Sequence, residues 1–315
     1  MNQGLAAQDI RSSSWTRVTE QYSILGESPF WHPTEQRLYW VDILGFKIHR
    51  LHLESMKHET WAMPGEPCCI APAKSGGLVI ALRDGFYLGN AWGGAINPIA
   101  TTGTGHFDFD TKIMRFNDGK CDPEGRFWCG TMIEPREPKI GTLYSLDLRA
   151  GRVQIALQAS GASVPNGLAW SKDGKKMYWS DSWNHRLDIF DWDAKSNKLS
   201  NQKRLMDFPR KGETAVYGGR PDGAAMDSEG NYYVCLMEAG MLLKLSPDHT
   251  ELARIPLPVR FATMPCFGGA DLKTLFVTSL RENRTPEELA AEPDLGHVFA
   301  IRVDVAGAPV NFFKD

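Results

Sequence analysis

The chain has 315 residues, of which 23% are charged and 42% are hydrophobic, and its formal net charge is −3. Acidic and basic residues are interspersed without a basic run, which argues against a nucleic-acid partner. No apolar run reaches the roughly 18 residues of a membrane-spanning helix, so we expect no membrane partner. The first fifteen residues, MNQGLAAQDIRSSSW, lack the apolar core of a signal peptide, and we therefore expect a cytoplasmic location.

The two ends of the chain are predicted to meet. Residues 1–14 are expected to be a loose extension, followed by a single domain over residues 15–315. The segment 15–19 is predicted to be a short strand that pairs with residues 297–303. Such a pairing would close a ring of blades without leaving a free sheet edge.

Six short apolar segments recur along the chain, each after a turn rich in Asp, Gly, Pro or Lys. They span residues 38–43, 78–85, 126–132, 176–182, 231–237 and 274–280, the second and the last being the weakest copies. Successive copies start about 40 to 54 residues apart, the length of one four-stranded propeller blade. The turns supply the positive φ that tight hairpins need. The sequence therefore predicts an all-β fold, a six-bladed β-propeller.

An insertion over residues 281–296 follows the last copy. Thr285 and Glu288 match a capping box, and Pro286 occupies the first helical position. This pattern predicts a short helix that ends at Pro293. We expect the insertion to shape the rim of the central channel.

Four of the apolar segments are preceded by a polar residue, about 10 to 12 residues before the first aromatic position of the segment. We therefore expect the four polar residues at the same structural position in their blades. They are Glu27, Asn117, Asn166 and Asp222; the second blade has Cys68 and Cys69 there. The innermost strands of a propeller line its channel, so these side chains should converge on one axis. Carboxylate and amide oxygens suit a divalent cation such as calcium, magnesium, manganese or zinc, which favours a central metal site. The alternative is that they are turn residues, because Asn-Gly and Asp-Gly pairs are common in turns.

The cysteines and histidines show no metal-binding or redox spacing. The six cysteines lie mostly at apolar strand positions without CxxC spacing, which predicts reduced packing residues. His49, His52 and His58 are predicted to be solvated residues near an outer strand. His185, in the loop after WSDSW, is the histidine expected nearest to a substrate.

Six longer stretches of the chain resemble the family of gluconolactonases, regucalcin (the senescence marker protein) and luciferin-regenerating enzymes. They are GESPFW (26–31), LYWVDI (38–43), RFNDGKCDPEGRFWCGTM (115–132), VPNGLAWSKDGKKMYWSDS (164–182), RPDGAAMDSEGNYYV (220–234) and CFGGADLKTLFVTS (266–279). These stretches keep the family's order and extend from about residue 20 to the C-terminus. The likeness therefore covers nearly the whole domain.

The resemblance implies a propeller with one divalent cation in its channel, either calcium, zinc, manganese, magnesium or iron. In that family the Glu of GESP, the Asn of NGL and the Asp of PDG hold the metal. The matching residues here are Glu27, Asn166 and Asp222.

The resemblance also implies a substrate-binding set. The Arg and Asn of RFNDG contact substrate oxygens in the family and correspond to Arg115 and Asn117. Glu134, after the GTM motif, is the third expected substrate-binding residue. Pro135 stands where regucalcin has a second acidic residue, so we expect residues 134–139 and the 281–296 insertion to determine specificity.

The implied activity is metal-dependent hydrolysis of a sugar lactone to the aldonic acid, a carboxylic ester hydrolysis. The cation would polarise the lactone carbonyl, and Asp222 would be both a ligand and the general base, unless the cation itself activates the water. Two alternatives remain: a regucalcin-like calcium-binding regulatory protein, and an aryl-ester or organophosphate hydrolase of similar architecture. The expected partner is a small-molecule sugar lactone, and no protein partner is inferred.

Overall fold

The computed structural model describes residues 12–315, which form six four-stranded antiparallel sheets. The short strand β1 (Thr16–Arg17) comes first in the chain and joins the last sheet. The first sheet holds β2 (Gly26–His32), β3 (Arg37–Asp42), β4 (Lys47–His52) and β5 (Lys57–Ala62). The second holds β6 (Pro67–Pro72), β7 (Leu78–Leu82), β8 (Gly85–Gly89) and β9 (Ile96–Thr101). The third holds β10 (Met114–Cys121), β11 (Phe127–Ile133), β12 (Gly141–Asp147) and β13 (Gln154–Ala162).

The remaining sheets repeat this pattern. The fourth holds β14 (Pro165–Trp170), β15 (Lys176–Asp181), β16 (Arg186–Asp193) and β17 (Lys198–Asp207). The fifth holds β18 (Arg220–Met226), β19 (Tyr232–Met237), β20 (Met241–Leu245) and β21 (Glu251–Pro256). The sixth holds β22 (Ala262–Gly268), β23 (Thr274–Ser279), β24 (Phe299–Arg302) and β1, in that spatial order.

The sheets are blades of a propeller, because their first strands contact one another in a closed cycle. β2 contacts β6, β6 contacts β10, and the series continues through β14 and β18 to β22, which contacts β2 again. The ring closes through the last blade, where Thr16 pairs with Ala300 and Arg17 with Phe299. The predicted six-bladed propeller and its closure are therefore confirmed, with β1 and β24 shorter than the predicted strands.

The six apolar segments of the sequence form the second strands of the blades, and these are almost entirely buried. A neighbouring blade packs on each face of these strands, so apolar residues occupy both faces. Aromatic rings join neighbouring blades: Tyr178 stacks on Tyr232 with ring centroids 4.7 Å apart. Burial of these runs is what stabilises the ring.

Every innermost strand has a register irregularity against its neighbour. The irregularities lie at 27–30, 67–69, 116–119, 166–169, 221–224 and 262–265. A β-bulge bends a strand locally and re-aims its side chains. Six bulges at the same level therefore direct a ring of side chains into the channel.

The predicted capping box is present at α1 (Pro286–Ala291). The Thr285 side chain accepts from the Glu288 backbone N–H at 3.2 Å, and the Glu288 carboxylate accepts from the Thr285 N–H at 3.1 Å. The helix ends at Ala291, two residues before the predicted Pro293, because Glu292 leaves helical φ and ψ.

The C-terminal segment 304–315 covers one end of the channel, which sequence reasoning did not predict. Its Phe313 is fully buried, donates its N–H to Pro72 O at 2.8 Å and accepts from Lys74 N–H at 2.8 Å. The Ala308 N–H donates to Met226 O at 3.0 Å. The segment thus ties the second and fifth blades together.

Residues 1–11, most of the predicted loose extension, lie outside the described residues, and Ser12–Ser14 form a single 3₁₀ turn. Within residues 12–315, no helix is long and apolar enough to cross a membrane. The six cysteines are free and buried, as predicted.

The prediction that His49 is solvated is wrong. Its side chain points inward from β4, is buried, and stacks on Trp40 with ring centroids 4.9 Å apart. Its Nδ1 lies 2.9 Å from Nε2 of His58, and burial lowers the pKa of His49 to about 3. His49 is therefore a neutral packing residue.

Candidate metal and substrate site

The four polar residues singled out in the sequence all lie in innermost strands: Glu27 in β2, Asn117 in β10, Asn166 in β14 and Asp222 in β18. Asn117, Asn166 and Asp222 are buried, and Glu27 is partly buried. The alternative interpretation as hairpin-turn residues is therefore wrong. A propeller needs no polar group at this depth for packing, and buried polar groups require polar partners.

Their positions are not identical, contrary to the sequence prediction. Glu27 and Asn166 still pair across the sheet, directly before the bulge, and each is followed by a residue with positive φ of 50° or 66°. Asn117 and Asp222 lie one step further, inside the bulge itself.

A directed chain of hydrogen bonds links three of the four residues with Arg115. The Arg115 Nη1 donates to Asn117 Oδ1 at 2.9 Å, and Asn117 Nδ2 donates to Asn166 Oδ1 at 3.0 Å. Asn166 Nδ2 then donates to Asp222 Oδ1 at 2.6 Å and to Ser182 Oγ at 2.8 Å. Residues from three blades thus form one contiguous polar cluster.

The charge of Asp222 acts on the carboxyl of Glu27. Burial raises the pKa of Asp222 to about 7, with Arg220 opposing the shift and Asp118 adding to it. Burial, then the charges of Asp222 and Asp118, raises the pKa of Glu27 well above its ordinary value. Two buried like charges are strongly stabilised by a cation placed between them.

The residues present fit a divalent cation held by oxygen atoms. Within residues 12–315, no three Asp, Glu, His or Cys side chains converge closely enough to hold a metal, so the set needs the amide oxygen of Asn166 besides Glu27 and Asp222. Asn166 directs its Nδ2 at Asp222, and a half-turn about its last side-chain bond replaces that nitrogen with oxygen. Three protein ligands leave coordination positions for water and substrate.

A third buried carboxylate, Asp118, was missed in the sequence. Its Oδ2 accepts from the Leu168 N–H at 3.1 Å, while its Oδ1 is buried without a hydrogen-bond partner among the described residues. Burial raises the pKa of Asp118, opposed by Lys120, whose Nζ donates to Ala224 O at 2.6 Å. The only signal was the Asn-Asp-Gly triplet at 117–119, which is equally typical of a turn.

A mainly apolar cavity of about 420 Å³ lies between the bulges and the C-terminal segment. Lys120, Trp170, Cys266 and Asn311 are among the residues that line it. None of Glu27, Asn117, Asn166 and Asp222 contributes to it, so the cavity is on the far side of the polar cluster.

Glu134 directly follows β11 and is half-exposed. Arg83 Nη2 donates to Glu134 Oε1 at 2.7 Å and to Glu66 Oε1 at 2.9 Å. The hydrogen bond from Arg83 lowers the pKa of Glu134, and Arg115 and Arg136 act in the same direction. Glu134 is therefore an ionised acceptor near Arg115, held in place by Arg83, a partner that the sequence did not reveal.

His185 lies at the same end of the channel. Its ring is buried 5.9 Å from that of Tyr217, and its Nδ1 has no hydrogen-bond partner among residues 12–315. Burial lowers its pKa, and the charges of Arg210 and Arg220 add to this effect. A neutral imidazole thus borders the site.

Residues 25–281 match the family described as SMP-30/Gluconolactonase/LRE-like region. The chain belongs to this family. It is 43% identical to 6-deoxy-6-sulfogluconolactonase of Pseudomonas putida, over 94% of this chain and 97% of the relative. It is 31% identical to a putative sugar lactone lactonase, YvrE, of Bacillus subtilis (strain 168), over 93% of this chain and 96% of that protein.

The fold agrees with a solved structure of the same family. The crystal structure of a calcium-binding protein, regucalcin, from Agrobacterium tumefaciens is similar with a TM-score of 0.84 and 26% identity. The match covers 95% of this chain and 97% of that chain. The resemblance to gluconolactonases and regucalcin read from the sequence motifs is thereby confirmed.

Proposed function

We propose that this protein hydrolyses a sugar lactone to the aldonic acid with the help of one divalent cation. The observation that carries the proposal is the polar cluster in the channel, in which Asn166 Nδ2 donates to Asp222 Oδ1 at 2.6 Å and the charge of Asp222 acts on the carboxyl of Glu27. The relatives named for sulfogluconolactone and sugar lactone hydrolysis share one chemistry, lactone ring opening, and that shared chemistry is what we assign to this chain.

Glu27, Asn166 and Asp222 would hold the cation, whether calcium, zinc, manganese, magnesium or iron. A bound divalent cation supplies electrophilic activation of the lactone carbonyl and stabilises the developing negative charge. Asp222 accepts the proton of the attacking water.

Arg115 and Asn117 orient the substrate. Arg115 donates to Asn117 Oδ1 and to Phe116 O but has no carboxylate within ion-pair distance among residues 12–315, so donors remain for sugar hydroxyl oxygens. Glu134, ionised and positioned by Arg83, accepts a hydrogen bond from a substrate hydroxyl. Positioning of this kind lowers the entropic part of the barrier.

The competing role is calcium binding without turnover. A purely calcium-binding site would use the same three ligands, but it gives no reason for an arginine without an ion-pair partner beside them. An aryl-ester hydrolase would instead need an apolar leaving-group pocket at the open end, where arginine and glutamate side chains are found.

A substrate panel tests the proposal. We expect the metal-loaded protein to acidify weakly buffered solutions of five- and six-membered aldonolactones far faster than it hydrolyses aryl esters. Glu54→Gln, at an exposed turn between β4 and β5, is the control for expression and handling. Hydrolysis of aryl esters alone, or no turnover of any lactone with any of the five metals, would contradict the assignment.

A further inference from the structure

Three arginines surround the open end of the channel above the polar cluster. Arg115 belongs to β10, Arg136 to the loop after β11, and Arg220 begins β18. Arg115 pairs across the sheet with Met132, and Arg136 Nη1 lies 3.8 Å from Met132 Sδ and 3.5 Å from Ile133 O. Arg136 is thereby folded back over the end of β11, beside Arg115.

The positive charge of Arg136 is not balanced by an ion pair. Arg220 has a partner, with Nη1 3.1 Å from Glu238 Oε1, and Arg83 is neutralised by Glu66 and Glu134. Within residues 12–315, no carboxylate lies within ion-pair distance of Arg136. Burial, followed by the charges of Arg115 and Arg220, lowers the pKa of Arg136, and Glu282 and Glu134 offset this only in part.

The backbone of Arg136 is also unusual. Its φ is 72°, a left-handed conformation that is disfavoured for a residue with a Cβ. Strained residues of this kind persist where the surrounding structure holds them, frequently at ligand-binding sites. Here the conformation accompanies the return of the Arg136 side chain over Met132 and Ile133.

The buried His185 lies near these arginines. His185, whose Nδ1 has no partner among the described residues, lies where the charge of Arg220 reaches it. The His185 Nδ1 is thus a buried polar atom at the rim without a protein partner, and such an atom needs a ligand or an ordered water.

We propose that Arg136, together with Arg115 and Arg220, binds a negatively charged group on the substrate, at the end of the sugar remote from the lactone carbonyl. This inference rests on the proposed lactonase function and narrows its substrate class to lactones carrying a terminal oxyanion. A tetrahedral group with three oxygens, such as a sulfonate or a phosphate, offers enough acceptors for several guanidinium groups. The binding energy gained there would hold the lactone carbonyl in register with Asp222.

The test compares glucono-δ-lactone with the same lactone bearing a sulfonate or a phosphate on its terminal carbon. The quantity measured is the ratio of kcat/KM for the charged lactone to kcat/KM for the neutral one. We expect the wild type to favour a charged lactone, and Arg136→Gln to lower the ratio roughly 10- to 100-fold, the effect of losing a charge-assisted hydrogen bond. Arg136→Lys should restore part of it, since the charge returns without the planar donor fork.

Lys112→Gln is the matched control, because Lys112 is an exposed cation just before β10 and lies outside the 134–139 and 281–296 regions. It should leave the ratio unchanged. A ratio near one in the wild type, an unchanged ratio in Arg136→Gln, or an equal drop in Lys112→Gln would each overturn the assignment of Arg136. The sulfonate and phosphate arms show which oxyanion the site prefers.

Failure of the proposed function is distinguishable from failure of this inference. If no lactone is hydrolysed, the lactonase proposal fails, and calorimetric binding of the sulfonated sugar acid then decides the anion site. Binding that is lost in Arg136→Gln but kept in Lys112→Gln supports the site, whereas no binding, or equal binding to all three proteins, refutes it.

Discussion

Asp222→Asn is expected to make the metal-free protein more stable while removing its activity. The change replaces a buried carboxyl, whose pKa is raised to about 7, by a group of the same shape that never ionises. The asparagine oxygen can still accept the 2.6 Å hydrogen bond from Asn166 Nδ2. What disappears is the buried negative charge, together with one metal ligand and the proposed base.

The size of the effect follows from the pKa shift. A carboxyl whose pKa is raised on folding contributes stability that is fully present below its unfolded pKa and is lost as pH rises toward the folded value. A rise from 3.8 to about 7 corresponds to a loss on the order of 4 kcal/mol above pH 7. Glu27, whose pKa is also raised, acts in the same direction. For a chain of this size, roughly 1.5 °C per kcal/mol gives a Tm difference of roughly 6 °C.

Thermal melts after exhaustive chelation measure this difference. At pH 8 the variant should melt about 6 °C above the wild type, and at pH 5 only about 2 °C above it. Saturating metal, at about 100 times Kd, should stabilise the wild type by about 2.7 kcal/mol and leave the variant unchanged. The kcat of the variant should fall at least roughly a hundredfold.

Asp42→Asn is the control with the opposite sign. Asp42 is also buried, but its two oxygens accept from the backbone N–H groups of Ile24 and Leu25, each at 3.0 Å. Its replacement should lower Tm at both pH values. Two results would refute the electrostatic cause. One is a metal-free Asp222→Asn protein with a lower Tm than the wild type at pH 8, and the other is a Tm difference between the two proteins that is the same at pH 5 and pH 8.

Three further changes have defined outcomes. Asn117→Ala should chiefly raise KM in steady-state kinetics, because its amide orients substrate; a loss confined to kcat would place it in the chemical step instead. Gly167→Ala should destabilise by roughly 2–4 kcal/mol in denaturant melts, since a Cβ there would lie 2.7 Å from the Tyr232 hydroxyl at φ 66°. Gly174→Ala, at φ 65° in open space, is its control and should cost less; equal losses would exclude the steric cause. Pro135→Glu should change the preference between pentonolactones and hexonolactones without altering metal affinity. Altered metal binding with an unchanged preference would instead mean that this loop contacts the metal and not the substrate.

The blade repeat could be predicted from the sequence because its signal is local. Trp40 and Trp179 each stand in an aromatic run that follows a polar turn, and burial on both faces requires such runs in every blade. The placement of Glu27, Asn166 and Asp222 on innermost strands followed from the same repeat, since the first strand of each blade lines the channel.

The remaining features depend on contacts between distant parts of the chain. The bulges shift Asn117 and Asp222 by one step relative to Glu27, and no residue pattern marks a bulge in advance. Arg83 lies 51 residues from Glu134, and Phe313 packs beneath a blade whose strands begin at residue 67. His49 shows the same limit, because β4 alternates its faces and only the packed blade shows that this histidine points inward.

The most direct test of the metal centre is a lactone hydrolysis assay on the fully chelated protein. Activity is followed while each divalent metal is added back. The protein should be inactive when its metal content is near zero and regain activity in proportion to one bound cation per chain. Glu27→Gln should abolish both the binding and the recovered activity, while Glu54→Gln should behave as the wild type. Full activity of the metal-free protein, or recovery that is unaffected by Glu27→Gln, would contradict a metal centre at Glu27, Asn166 and Asp222.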